Sequence, residues 1–124
     1  MAKLSIRIDF ENGGQLGPGK VRILELVAET GSIRKAAAVM KMSYRKAWLL
    51  LQALEKTFGA PMVATLTGGR DGGGTRLTAT GKLVVARYRA LEQAAAKVGA
   101  KELAPLSKRA KLRRNATKSS APVR

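Results

Sequence analysis

The sequence predicts a mainly α-helical domain with a small β-hairpin, opened by one strand and closed by a long helix. Three observations lead there. Apolar residues recur at helical spacing in several segments. Ser32, Ser43 and Thr78 stand just before three of those segments, where a hydroxyl can cap a helix. A glycine-rich run, TGGRDGGG at 67–74, separates two short β-prone stretches.

The elements follow in order. Leu4, Ile6, Ile8 and Phe10 alternate with Ser5, Arg7 and Asp9, the period of a strand with one buried face. Asn12-Gly13-Gly14 breaks it. Gly17-Pro18-Gly19 leads into a helix over 18–29, because proline suits an early helical position. Val21, Leu24, Val27 and Ala28 form its inner face, and Gly31 stops it. Ser32 caps a short helix over 33–40 with Ile33, Ala36, Ala37 and Met40 inward; alanine there permits close packing. After the turn Lys41-Met42, Ser43 caps a third helix over 44–58, ended by Gly59. The runs 62–66 and 75–77 flank the glycines as a hairpin. Thr78 caps a helix over 79–98, with Leu83, Val84, Arg87, Leu91, Ala94, Ala95 and Val98 along one side.

Composition narrows the chemistry. The 124 residues hold no cysteine and no histidine, which removes disulfides, thiolate metal sites, the usual zinc ligand and the commonest general base. The acidic residues are scattered, with no pair spaced for catalysis. An enzyme is not expected, nor a metal site or a cofactor. The net charge of +16 favours polyanionic partners. No apolar run approaches the roughly 18 residues of a membrane span. The N-terminus lacks the continuous apolar core of a signal peptide, so the expected location is cytoplasmic and nucleoid-associated. Residues 101–124 carry eight basic residues and one acidic one, with proline and serine and few large apolar side chains. Two parts are therefore expected: a folded domain over 1–100, itself net +9, and a basic, disordered tail over 101–124.

A short alanine-rich helix, a tight turn and a second capped helix make a helix-turn-helix, and the following hairpin makes it winged. The second helix enters the major groove by its N-terminal end. That end carries Ser43, Tyr44, Arg45, Lys46 and Trp48, while Leu50, Leu51, Leu54 and Phe58 face inward. Glycines let the wing backbone approach phosphates or the minor groove and adopt positive φ. Arg70 and Arg76 supply charge there. A nucleotide loop fits less well. Gly69 and Gly74 have the spacing of a P-loop, yet Thr75 stands where its lysine belongs. Gly72 and Gly74 begin G-x-G-x-x-G, yet Leu77 occupies its last position.

Residues 16–81 resemble the N-terminal DNA-binding domain of ModE-type regulators, the molybdate-responsive transcription factors of bacteria. The pieces that carry the likeness are TGSI at 30–33, MSYRKAW at 42–48, TGGRDGGG at 67–74 and LTATG at 77–81. The wider LysR-type winged helix shares the frame. The resemblance implies a homodimer on double-stranded operator DNA, paired through the last helix. Leu83, Arg87, Tyr88, Leu91 and Ala95 are the candidate dimer residues. It also carries the groove-facing role onto Ser43, Tyr44, Arg45, Lys46 and Trp48, and the wing onto Gly68 through Gly74, including Gly69 and Arg70. Full-length members continue into domains that bind molybdate or tungstate. No such domain is visible here, so molybdate sensing is not carried over.

Each assignment has a plainer counterpart. Arg45 and Lys46 as an isolated basic pair would be solvated helix residues; the cap before them and their place at the start of the second helix favour DNA. Trp48 either walls the recognition helix or touches DNA, whereas Tyr44 lies on the more exposed side. Arg34 and Lys35 either meet phosphates or are merely solvated. Leu83, Tyr88 and Leu91 are packing or dimer contacts rather than a ligand site. The expected function is a sequence-specific regulator with its recognition helix over 43–58 and its wing over 67–77. The alternative is a nonspecific architectural nucleoid protein, favoured by the charge and the tail.

Overall fold

The computed structural model describes residues 2–66 and 74–117. Its elements run β1 (Ile8–Asp9), β2 (Gln15–Leu16), α1 (Pro18–Thr30), α2 (Ile33–Val39), α3 (Tyr44–Phe58), β3 (Val63–Leu66), β4 (Gly74–Leu77) and α4 (Ala79–Thr117). This is the mainly helical, winged helix-turn-helix architecture that the sequence predicts. Two compact units emerge, Ser5–Ala90 and a second of Met1–Leu4 with Leu91–Arg124.

The first unit is built around α1. Val21, Ile23, Leu24, Leu26 and Val27 are all buried, because α1 touches α2 and α3 as well as β4. A helix covered on several sides needs a wider apolar face than a surface helix. The sequence reading had one stripe, and so it missed Ile23 and Leu26 and placed exposed Ala28 inward. Gly31 ends α1 in the left-handed region, φ 73°, donating its N–H to the Val27 carbonyl.

Burial along residues 4–10 alternates as expected, with Leu4, Ile6, Ile8 and Phe10 half-buried and the residues between them exposed. The ladder is shorter than expected. Only Ile8 and Asp9 pair, antiparallel, with Leu16 and Gln15. β2 escaped notice because two residues carry no periodic signal. The hairpin docks on the end of α3. The Phe10 and Phe58 rings meet edge to face at 5.3 Å. The Asn12 side chain donates to the Thr57 carbonyl at 3.0 Å and accepts from the Gly14 N–H at 2.9 Å.

The wing hairpin pairs Val63 with Leu77 and Leu66 with Gly74. The Thr75 N–H donates to the Gly31 carbonyl at 2.9 Å, tying β4 to the α1–α2 turn. Thr78 then starts α4: its hydroxyl accepts from the Gly81 N–H at 3.0 Å and donates to the Pro61 carbonyl at 2.7 Å. Gly81 is required by close approach, since a Cβ there would collide with the Met62 carbonyl.

The first turns of α4 close the core through Val84 and Tyr88. Tyr88 is 0% exposed, and its hydroxyl donates to the Ile6 carbonyl at 2.6 Å. Arg89 grips Glu25 of α1 with two short bonds, Nε to Oε2 at 2.8 Å and an Nη to Oε1 at 2.9 Å. The charged hydrogen bonds from Arg89 hold the Glu25 carboxyl below its ordinary pKa, against the opposing pull of burial; Arg22 adds to the lowering.

The second unit runs across residue 100, the boundary expected between the folded domain and the basic tail. No residue from 89 to 110 is buried, which is why the core ends near Ala90. α4 nevertheless passes Gly99 and runs on to Thr117. Residues 101–117 are rich in alanine, leucine, lysine and arginine, all good helix formers. Pro105 lies inside the helix and cannot donate to the Lys101 carbonyl. Residues 118–124 lie outside the described residues. Within this unit, residues 2–4 run beside α4, and a shallow apolar groove of about 460 Å³ forms between them and Ala96, Ala100 and Leu103.

Glu25→Gln is expected to destabilise the domain by on the order of 1–3 kcal/mol at neutral pH. The folded pKa of Glu25 lies below its unfolded value of 4.5. Its contribution is therefore complete above that value and is lost as pH falls through the lower, folded pKa. Urea unfolding at pH 7 and pH 3 checks this: the gap between parent and variant should narrow in acid.

Candidate nucleic-acid interface

The interface is built by two caps and one turn. The Ser32 hydroxyl accepts from the Lys35 N–H at 3.0 Å, and the Ser43 hydroxyl accepts from the Lys46 N–H at 3.0 Å. Each satisfies a backbone donor that the first helical turn leaves free. Between them α2 ends with Met40 donating to Ala36, Lys41 to Ala38 and Met42 to Ala37. Lys41 sits at φ 57°, the single non-glycine residue at positive φ among the described residues. That left-handed step reverses the chain so that α3 leaves at an angle to α2.

α3 is two-faced. Ala47, Leu51 and Leu54 are buried, and Phe58 is half-buried against the core. Arg45, Lys46, Leu49, Gln52 and Lys56 are exposed. Tyr44 and Trp48, four residues apart on one flank, are 43% and 42% exposed. The guanidinium of Arg34, from the start of α2, lies 5.0 Å from the centroid of the Tyr44 ring. This cation–π contact joins the entrances of the two helices. Between Glu29 and Glu55 the chain carries Arg34, Lys35, Lys41, Arg45 and Lys46 and no acidic residue. All five are exposed. Such a surface presents only positive charge to a polyanion, with nothing to repel a phosphate.

The family described as bacterial regulatory helix-turn-helix protein, lysR family, matches residues 19–82. The chain belongs to this family. It is 40% identical over 92 residues to the molybdenum transport protein ModE of Azotobacter vinelandii, covering 74% of this chain and 33% of that protein. It is 38% identical over 91 residues to the transcriptional regulator ModE of Haemophilus influenzae, covering 73% of this chain and 36% of that one. The chain thus spans about a third of the length of these curated relatives, and it is ModE-like over that span. Among solved structures, the DNA-binding domain of CbnR in complex with DNA superposes with a TM-score of 0.54 at 25% identity, covering 71% of this chain and 95% of that one. Family, relatives and neighbour together support a DNA-binding transcriptional regulator.

On this LysR-family scaffold the structure brings Arg34, Ser43, Tyr44, Arg45, Lys46 and Trp48 to one surface around the entrance of α3. Trp48 is not a core residue. Arg76 is exposed on β4, across the hairpin from Ala64. Gly69 and Arg70, at the wing tip, lie outside the described residues. Of the candidate dimer residues, Leu83, Arg87 and Leu91 are exposed and Ala95 is partly so. Tyr88 takes the packing alternative rather than the dimer contact: it lies in the core of its own chain, with its hydroxyl on the Ile6 carbonyl. Gln52 and Leu49 share the outward stripe with Arg45 and were missed. Counting ~100° per residue away from Ala47, Leu51 and Leu54 would have found them. No group of histidine, cysteine, aspartate or glutamate suited to a metal occurs among the described residues. No described helix is long and apolar enough to cross a membrane.

The turn residue offers a test of the scaffold apart from the charge. A side chain in the left-handed region costs on the order of 1–2 kcal/mol that glycine avoids. Lys41→Gly should therefore keep or raise the melting temperature. Lys41→Val should lower it, which thermal denaturation followed by circular dichroism will show.

Proposed function

We propose that this chain is the DNA-reading part of a sequence-specific transcriptional regulator that works as a homodimer. The observation that carries the reading is the entrance of α3: a cationic, exposed helix end whose opposite face is anchored in the core. α3 lies in the major groove. Arg45 reads a base edge, guanine being the natural partner of a bidentate guanidinium. Ser43 and Tyr44 add polar base contacts, and Trp48 lies against the groove wall. Arg34, Lys35 and Lys46 meet phosphates; displaced counterions supply much of the affinity. The wing, with Gly69, Arg70 and Arg76, follows the backbone or enters the minor groove.

The exposed Leu83, Arg87, Leu91 and Ala95 form the dimer face of α4. A two-fold dimer then reads half-sites about one helical turn, or a multiple of it, apart. The basic stretch after residue 100 adds affinity without sequence preference. The protein acts without enzymatic chemistry, in the cytoplasm at the nucleoid. The neighbour whose crystal structure holds DNA supports this reading, as do relatives named as regulators. A nonspecific architectural role would show as binding to operator and random duplex alike.

Selection from a random duplex library yields the operator, and a regulator should prefer it by about 10³ or more over random DNA. Arg45→Ala should cost on the order of 1–3 kcal/mol on that operator and relax one base position. Titrations of operator and random DNA at matched salt check it. Equal losses on both would leave Arg45 as a phosphate contact only.

A further inference from the structure

The outward stripe of α3 contains one residue out of keeping with a charged, solvated surface. Leu49 is 47% exposed. With ~100° per residue, it points within about 15° of the direction opposite the mean of Ala47, Leu51 and Leu54. It is therefore not at the edge of the core but at the crest of the helix. Its neighbours on the stripe are Arg45 one turn before it, and Gln52 and Lys56 after it, all exposed. A leucine between an arginine and a glutamine, aimed away from its own fold, gains nothing from water. It gains on contact with an apolar group at the bottom of whatever the helix enters. In the major groove of DNA that group is the C5-methyl of thymine, the one apolar feature displayed by the bases there.

We propose that Leu49 is a specificity-determining residue that recognises a thymine methyl group. The inference rests on the major-groove placement of α3 proposed above. Leu49 lies ~6 Å along the helix from Arg45. A base-pair step is about 3.4 Å. The thymine therefore lies within one or two base pairs of the position that Arg45 reads. The leucine also rejects the alternatives: against cytosine it would cover an exocyclic amine without accepting its hydrogen bond, leaving a desolvated donor.

Replacing thymine by deoxyuridine removes that methyl and leaves base pairing unchanged. The full chain is titrated with the selected operator and with a set of operators each carrying one symmetric thymine-to-deoxyuridine change. The expected result is one position, within two base pairs of the Arg45-dependent base, where the change weakens binding by roughly three- to fivefold per half-site, the effect of one buried methyl, and so by roughly ten- to twentyfold for the symmetric pair. Leu49→Ala should bind thymine and deoxyuridine operators equally at that position, and match the parent at every other. Its exposure makes it a safe variant to fold, and the melting temperature confirms this.

The proposal is overturned if no thymine-to-deoxyuridine change matters near the Arg45 position, or if Leu49→Ala keeps the full discrimination. Strong operator preference with either of those results removes the Leu49 assignment alone. A selected pool with no preference removes the regulator reading, and this assignment with it.

Discussion

Burial of α1 on several sides is the constraint on which the other parts depend. Five of its side chains are enclosed by α2, α3, β4 and α4, so the helix cannot turn about its axis without exposing one of them. Each neighbour is then fixed to it by a distinct device. α2 packs close through Ala36 and Ala37. β4 is held by the bond from the Thr75 N–H to the Gly31 carbonyl. α4 is held by Tyr88 in the core and by the Arg89–Glu25 pair at its edge. The exposed end of α3 inherits its direction from this arrangement, because its own buried face is only three residues deep.

Polar and charged groups divide by position in a way that serves recognition. Among the described residues of the first unit, the buried side chains are all apolar apart from the Tyr88 hydroxyl, which donates to a carbonyl. The ion pairs seen among the described residues lie away from the α2–α3 surface, on α1, on α4 and between Arg7 and Asp9. The arginines and lysines of residues 30–54 therefore have no carboxylate within their own stretch of chain to neutralise them. Charge left uncompensated costs little in water and lends long-range attraction to a polyanion. Arg34 stacked on Tyr44 is pre-organised without being neutralised. An arginine held by a ring keeps its charge and its donors.

The helix-turn-helix was legible because its signals are local. Ser32, Ser43 and Thr78 sit at helix starts and bond the first free N–H groups there. Gly31 and Gly59 stop helices in the left-handed region. The alanine stripe of α2 and the inward face of α3 obey the helical period. What the sequence did not show was mostly non-local. β2 exists because β1 lies beside it, and two residues cannot announce a partner. Tyr88 was open between packing and a dimer contact; its burial depends on Ile6, far away in sequence. The continuation of α4 past Gly99 is a different case, in which helix propensity was present and composition was given more weight.

The amino-acid sequence by itself determined the order and type of the elements apart from β2, the cationic entrance of α3 and the absence of histidine and cysteine chemistry. These are properties of neighbouring residues and of counts, and they need no knowledge of what packs against what. Tertiary structure alone decided which side of each helix is covered, and so which side chains are free to act. It enclosed α1, took Tyr88 into the core, and left Leu49 and Gln52 on the crest of α3 beside Arg45. The physical reason is that burial is a relation between distant segments: a leucine carries the same hydrophobicity whether it fills a core or faces a groove, and only its surroundings tell the two apart.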